Sequence, residues 1–492
     1  MPACYYFRGM TFDGFRMIVQ GFKLSPNPFL VLCSMARHNL RSSSTAKRTS
    51  FNQICSPYFL SSKRSRKSNP KTCSPYFSSN KRPRSCKAGS DSVSPSNNDD
   101  WVATTKLPQH LVGNRYFEHN KNTVTLLRRL TPEDFSLSQT ICSYGYFCLA
   151  PNRWVPSGDS SRNDEGYLVR PLTFHANTSN TTQTATVAIG QDPQTNTVLV
   201  GIKLGSKRPN KDELTMILPQ LTAQIDRMLR LDMNLQAFHE VYPEAKNRRF
   251  GRLYRSPTLF EDVCKTITNC NMQWGGTVDM NAKLCKYVGK HGAFPTPLEM
   301  YNAGADFLKE HCRVGYRSNY LWNLAREIVE ENLDLETDLG TTPNGSFTFE
   351  RKEVQARLLK LKGIGPFAAN NILQLMGYFD SHPYDTETVR LWKEDFGAPK
   401  SWTKKEIFPK AKTHYAPYAP FEFTAYWYDL WKNYERRAGA TAPQWSIEQY
   451  EAERPQNVTS DHNCVFAHPT GKNSHAAKTK GKPTKKKTKK KK

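Results

Sequence analysis

The sequence predicts an α+β protein, with an N-terminal antiparallel β-sheet domain packed on an all-helical domain and disordered basic tails at both ends. Three observations carry this. Apolar and polar residues alternate between about 113 and 205, and after 210 the apolar residues recur at steps of three and four. The excess charge lies outside both stretches. The 492 residues suffice for two or three domains, and 38% hydrophobic with 12% aromatic content suffices for real cores.

The formal net charge is +26. Residues 1 to 90 hold sixteen Lys or Arg against the single acid Asp13, and residues 471 to 492 hold eleven Lys and no acid. That leaves 43 of the 70 basic and 43 of the 44 acidic side chains for residues 91 to 470, which are formally neutral. Tails of this kind bind polyanions by counterion release, and nucleic acid is the usual polyanion. A nuclear-import signal with a solubilising tail is the other reading, and both stay open. The lysine tract favours a nuclear location. The acid-poor, Ser- and Arg-containing first fifty residues would also suit a plastid or mitochondrial transit peptide.

Residues 1 to 105 are expected to be disordered, and they contain a repeat, CSPYFLSSKR from Cys55 and CSPYFSSNKR from Cys73. It reads either as a docking peptide for a protein partner or as a chance duplication. The twelve cysteines form no CxxC pair, which argues against a zinc ribbon and for reduced thiols inside a cell. No apolar run approaches a membrane span, FLVLC at 29 to 33 being the best. No membrane association is expected, and the chain is expected to be a monomer.

Residues 113 to 245 are predicted as the β-rich domain with a following helix. Val187 and Ile189 make one arm of a hairpin, Val198, Val200 and Ile202 the other, with Asp192, Pro193 and Asn196 at the turn. YLVRPLTF at 167 to 174 and SYGYFCL at 143 to 149 are read as further strands. Leu214, Leu218, Leu221, Ile225, Met228 and Leu229 define the apolar face of the helix. Helical patterning continues through a second domain at 246 to 437, broken by GG at 275, Pro295, Pro297 and GTTPNG at 340 to 345. Residues 438 to 492 read as linker and tail.

The chemistry concentrates between 354 and 392, in VQARLLKLKGIGPFAANNILQLMGYFDSHPYDTETVRLW. Val354, Leu358 and Leu361 make one helix face, Lys362-Gly363-Ile364-Gly365-Pro366 is a tight connection, and Phe367 to Tyr378 resume a helix. Two glycines open backbone angles closed to other residues and leave no side chain over the amides. Those amides head a helix, where the dipole favours an anion, so a phosphate can be gripped without reading a base. Ile364 is expected to plug back into the helix pair. Asp385 stands eighteen residues beyond Phe367, at the start of another helix. By itself it is a good helix cap.

LKGIGPFAAN followed by YDTETVRLW resembles the signature of the helix–hairpin–helix glycine/proline/aspartate superfamily of base-excision DNA glycosylases. SPTLFEDVCKTITNCNMQW at 256 to 274 resembles the superfamily's helix that ends near the lesion, and CRVGYRSNYL at 312 to 321 resembles the segment carrying the 8-oxoguanine glycosylase wedge. FSLSQTICSYGYF at 135 to 147 and IDRMLRLDMNLQAFHEVYP at 225 to 243 look like the N-terminal domain that 8-oxoguanine glycosylase shares with 3-methyladenine glycosylase II. KTHYAPYAPFEFTAYWYDLW at 412 to 431 is similar to uncharacterised plant members. The likeness covers about residues 113 to 437.

The resemblance implies a catalytic Asp385 and a DNA-backbone hairpin at Lys362, Gly363, Ile364, Gly365 and Phe367, acting on double-stranded DNA with a damaged base. Bifunctional members form a Schiff base through a lysine whose matching position here is Phe367, and a phenyl ring is no nucleophile. A monofunctional enzyme is therefore expected, with an aspartate-activated water and Phe367 lining the base pocket or packing the helix. Only Cys464 follows Asp385, so the four-cysteine iron–sulfur cluster of some relatives is not expected there. No metal or cofactor is expected, apart from room for a monovalent cation at the hairpin. Tyr316 and Arg317 are first candidates for the wedge that fills the vacated stack, and Asn271, Gln273 and Trp274 the second set. Tyr415, Tyr418, Phe421, Tyr426 and Trp427 line the pocket or belong to the core. Two other readings stay open: a catalytically silent DNA-binding scaffold of the same fold, and a glycosylase/lyase using a displaced lysine.

Overall fold

The computed structural model describes residues 101–118, 124–157, 166–175, 182–205, 210–340 and 348–445. The CSPYF repeats, the C-terminal lysine tract and most of the 340–345 loop lie outside them. Six strands form one antiparallel sheet in the order β1-β2-β6-β5-β4-β3. They are β1 (Val102–Ala103), β2 (Val124–Leu130), β3 (Arg153–Val155), β4 (Tyr167–His175), β5 (Thr182–Asp192) and β6 (Thr197–Lys203). With the helices this makes an α+β fold.

The expected hairpin is β5–β6, with Val187 opposite Ile202 and Ile189 opposite Val200. Because side chains alternate along a strand, Val187, Ile189, Val198, Val200 and Ile202 all face one core and are fully buried there. The opposite face is also covered, with Ala188, Leu199 and Val169 packing under Leu111 and Phe117. The helix Lys211–Leu229 opens with a capping box between Asn210 and Glu213 and lays Ile217, Leu221, Ile225, Met228 and Leu229 into the core of the sheet.

The segment expected to be a strand at 143 to 149 is instead a 3-10 turn over Gly145–Cys148, following the short helix Leu137–Ile141. The correction has a packing cause. Tyr144, Tyr146 and Phe147 are all buried, which an alternating strand against a single core does not achieve. Local bonds from the Phe147 amide to Tyr144 O and the Leu149 amide to Tyr146 O close the turn.

Two large cores result. One joins the sheet to helix Lys211–Leu229 and to the C-terminal helix Glu422–Ala438. The other is built from helices running from Leu259–Asn269 to the hairpin pair Arg351–Leu358 and Pro366–Met376. A buried charge cluster ties the sheet to the first of these helices: Glu261 accepts from Arg170 on β4 at 2.9 Å and pairs with Lys265 at 2.7 Å. Among the described residues no helix is long and apolar enough to cross a membrane. The six described cysteines carry free thiols.

Candidate active site

Asp385 is placed by its own helix. It sits in extended backbone before helix Thr386–Glu394, and its Oδ1 accepts from the amides of Glu387 (2.9 Å) and Thr388 (3.2 Å). The Asp385 amide donates back to Thr388 Oγ1, whose hydroxyl also bonds the Tyr426 hydroxyl at 2.9 Å. Both helix amides go to one carboxylate oxygen, so Oδ2 is left outside the cap. Burial, then the charge of Glu387, push the carboxyl up to about 6, against the two amides and Lys404. The helix N-terminus favours the ionised form, but desolvation outweighs it. The group is mostly carboxylate at neutral pH and protonates just below. Glu387 itself is held by Arg390 at 2.7 Å and by the Tyr434 hydroxyl at 2.9 Å.

The hairpin reaches the same place. Gly363 has φ +89°, and a Cβ there would stand 2.6 Å from the Tyr320 ring, so both its backbone angle and its contact demand glycine. A Cβ on Gly365 would meet nothing within 4 Å. Pro366 fills the first helical position without an amide, and the amides of Phe367 and Ala368 follow in the first turn, where no intrahelical acceptor exists. Ile364 is buried in the helical core, as its apolar type requires, and Lys362 is exposed.

Asp385 and the hairpin open onto one cavity of about 720 Å³ walled by Tyr144, Tyr146, Trp274, Phe367, Tyr426 and Trp427. Its wall draws on both cores. Tyr144 and Trp427 rings lie 4.7 Å apart. The Tyr144 hydroxyl donates to Asn371 Oδ1 at 3.0 Å, and Asn371 Nδ2 donates to the Phe367 carbonyl at 3.0 Å, which ties the wall to the hairpin helix. Burial pushes the Tyr144, Tyr146 and Tyr426 hydroxyls well above their usual range, so all three stay neutral. The site therefore combines flat apolar faces, neutral hydroxyls, one carboxylate and an amide-rich helix start.

Of the residues singled out from the sequence, the cavity brings together Asp385, Gly363, Gly365, Phe367, Asn271, Gln273 and Trp274. Lys362, Ile364, Tyr316 and Arg317 are not on its wall. Arg317 is only 3% exposed, and its guanidinium donates to the Cys270 and Asn271 carbonyls and lies 4.6 Å from the Tyr316 ring. It holds the 270–273 loop in place and is not presented for insertion, whereas Tyr316 is 53% exposed. Tyr415 and Phe421 are core, Tyr418 packs against it, and Tyr426 and Trp427 serve core and cavity together.

Sequence reasoning missed Tyr144, Tyr146, Asn371 and Lys404 on the wall. Lys404 left a signal: Lys404 and Lys405 open helix Lys404–Tyr415, where the macrodipole favours acids. Both oppose the dipole, and Lys404 lies on the cavity wall, where its charge acts on the Asp385 carboxylate. The tyrosines left none, since their role depends on a turn that brings a β-domain segment onto the hairpin helix. Among the described residues no group of three or more His, Cys, Asp or Glu is arranged to hold a metal ion.

No protein-family model matches the chain, and no curated protein matches it. Among solved structures, it is similar to the apo-form of the Clostridium acetobutylicum 8-oxoguanine glycosylase/lyase, with 17% identity, covering 63% of this chain and 95% of that one at a TM-score of 0.43. It is likewise similar to a 3-methyladenine DNA-glycosylase from Archaeoglobus fulgidus, with 17% identity, covering 63% of this chain and 98% of that one at a TM-score of 0.44.

Proposed function

We propose that the chain is a monofunctional DNA N-glycosylase of base-excision repair. The observation that carries the reading is the convergence of Asp385, the hairpin amides and an aromatic cavity at one point. Each part answers a separate chemical need. The amides at Phe367 and Ala368 and the open flank of Gly365 suit a backbone phosphate. A cavity with flat aromatic walls suits a base turned out of the duplex, at a cost of a few kcal/mol that damage reduces. The Asp385 carboxylate then faces the sugar.

Cleavage of the N-glycosidic bond develops positive charge on the sugar, which an anionic Asp385 stabilises while orienting and deprotonating water. The bond electrons leave with the base, water adds to the anomeric carbon, and an abasic site remains. Fixing of the carboxylate by its helix cap lowers the reorganisation needed as charge develops. Phe367 stands where the resemblance places a nucleophilic lysine, which supports base release without strand cleavage.

The test is base release and strand nicking, scored separately, on duplexes carrying alkylated, oxidised, deaminated or mismatched bases. Base release without nicking, lost in Asp385→Asn, is the expected result. Release by the variant at the wild-type rate would remove Asp385 from the mechanism. No release from any duplex by folded, DNA-bound protein would turn the reading to a silent scaffold.

A further inference from the structure

A second concavity, of about 460 Å³, lies away from the cavity of Asp385. Its floor is apolar, made by Phe260, Pro297, Ile328, Leu333 and Leu335, and Leu298 beside it is 49% exposed. Its edge carries Glu331, Asp334 and Glu336. Asp334 caps helix Leu335–Asp338, and the Glu331 and Glu336 side chains are solvent-exposed on the rim. From Glu327 to Asp338 the chain holds six acids and no base. Arg326, the cation just before this run, pairs with Glu327 and Glu330. Nucleic acid is excluded from such a face by like charge, so its occupant is basic and carries apolar side chains.

The chain itself contains such a segment. Beyond residue 445, Cys464-Val465-Phe466-Ala467 is the one run of more than two consecutive apolar residues. The lysines of residues 471 to 492, eleven with no acid among them, follow directly. Residues 445 to 466 span up to about 70 Å when extended, more than the radius of a domain of this size. We propose that the groove docks this C-terminal segment, with Val465 and Phe466 on the apolar floor and the first lysines, from Lys472 on, over Glu331 and Glu336. Lysine suits the rim because its aliphatic stem lies on apolar surface while the ammonium stays at the carboxylates. Docking withholds these lysines from DNA phosphates, and a long duplex competes for them. The tail then adds its charge only when DNA is already abundant at the body.

The test uses the full chain at low salt, with zero-length carbodiimide coupling of lysine to carboxylate mapped by mass spectrometry. A mixture of isotope-labelled and unlabelled chains separates coupling within a chain from coupling between chains. Couplings from Lys472, Lys478 and Lys480 to Glu331 and Glu336, within one chain and in clear excess over the exposed Glu240 and Glu310, are expected. Phe466→Ala, outside the described fold, should lower them, as should added duplex. In the double variant Glu331→Gln, Glu336→Gln, duplex affinity should rise about threefold as the tail is released. Equal coupling to Glu240 and Glu310, insensitivity to Phe466→Ala, an unchanged duplex affinity, or coupling only between chains would each overturn the proposal. None of these readouts uses base release, so they stand or fall apart from the glycosylase reading.

Discussion

Asp385 serves two ends that pull apart. As a cap it stabilises helix Thr386–Glu394, and as a half-buried anion beside Glu387 it costs the fold free energy. Asn caps as well as Asp, so Asp385→Asn removes the charge and keeps the cap. Base release should vanish and duplex binding persist. The raised carboxyl also sets the sign of a stability effect. The unfolded group titrates near 3.8 and the folded one near 6, so above 6 the wild type carries a charge that its fold disfavours. The variant should therefore melt higher than wild type at pH 8, and the difference should fade as pH drops through 6 toward 3.8. A variant that melts lower at pH 8 would contradict the desolvation argument. The same titration predicts that base release falls as pH drops through about 6 and is level above it, read from single-turnover rates.

At the scale of the element, the hairpin separates what holds it from what it binds. Gly363→Ala forces a Cβ into Tyr320 at a backbone angle alanine disfavours, and should cost about 1–3 kcal/mol in chemical denaturation. Gly365→Ala meets open space at φ −96°, and should leave stability within about 0.5 kcal/mol. Its methyl would nevertheless project into the open flank that a phosphate is proposed to approach, so duplex affinity should fall in fluorescence anisotropy. Unchanged affinity would mean that phosphate does not approach there. The 270–273 loop behaves as a second element. Arg317→Ala leaves the Cys270 and Asn271 carbonyls without their donor and should lower stability by about 1–3 kcal/mol, where exposed Tyr316→Ala should not. The helix pair was legible from its own residues, because Val354, Leu358 and Leu361 repeat apolar types at steps of four and three. The turn at Gly145–Cys148 was not, since three aromatics in SYGYF mimic a strand until their burial on several sides is known.

Across the whole molecule, the cavity exists because two cores meet, and the Arg170, Glu261 and Lys265 cluster fixes that meeting. All three side chains are buried, so the carboxylate is held below its usual range by two cations despite desolvation. Glu261→Gln would leave two buried cations short of their counter-ion and should cost about 3–5 kcal/mol in urea denaturation. Cavity geometry should loosen with it, seen as weaker duplex binding. A cost under about 1 kcal/mol would place the cluster's role elsewhere.

What the sequence settled alone is local and periodic. Alternation placed β5, β6 and β4, helical spacing placed Lys211–Leu229, and paired glycines with a spaced aspartate marked the hairpin and Asp385, because these signals lie within a few neighbouring residues. Tertiary structure decided the rest. It set Tyr144, Tyr146, Asn371 and Lys404 around Asp385, buried Arg317 under a loop 46 residues away in sequence, and fixed the carboxyl near 6. Burial, charge pairing and cavity shape are sums over side chains far apart in the chain, and no local pattern records them.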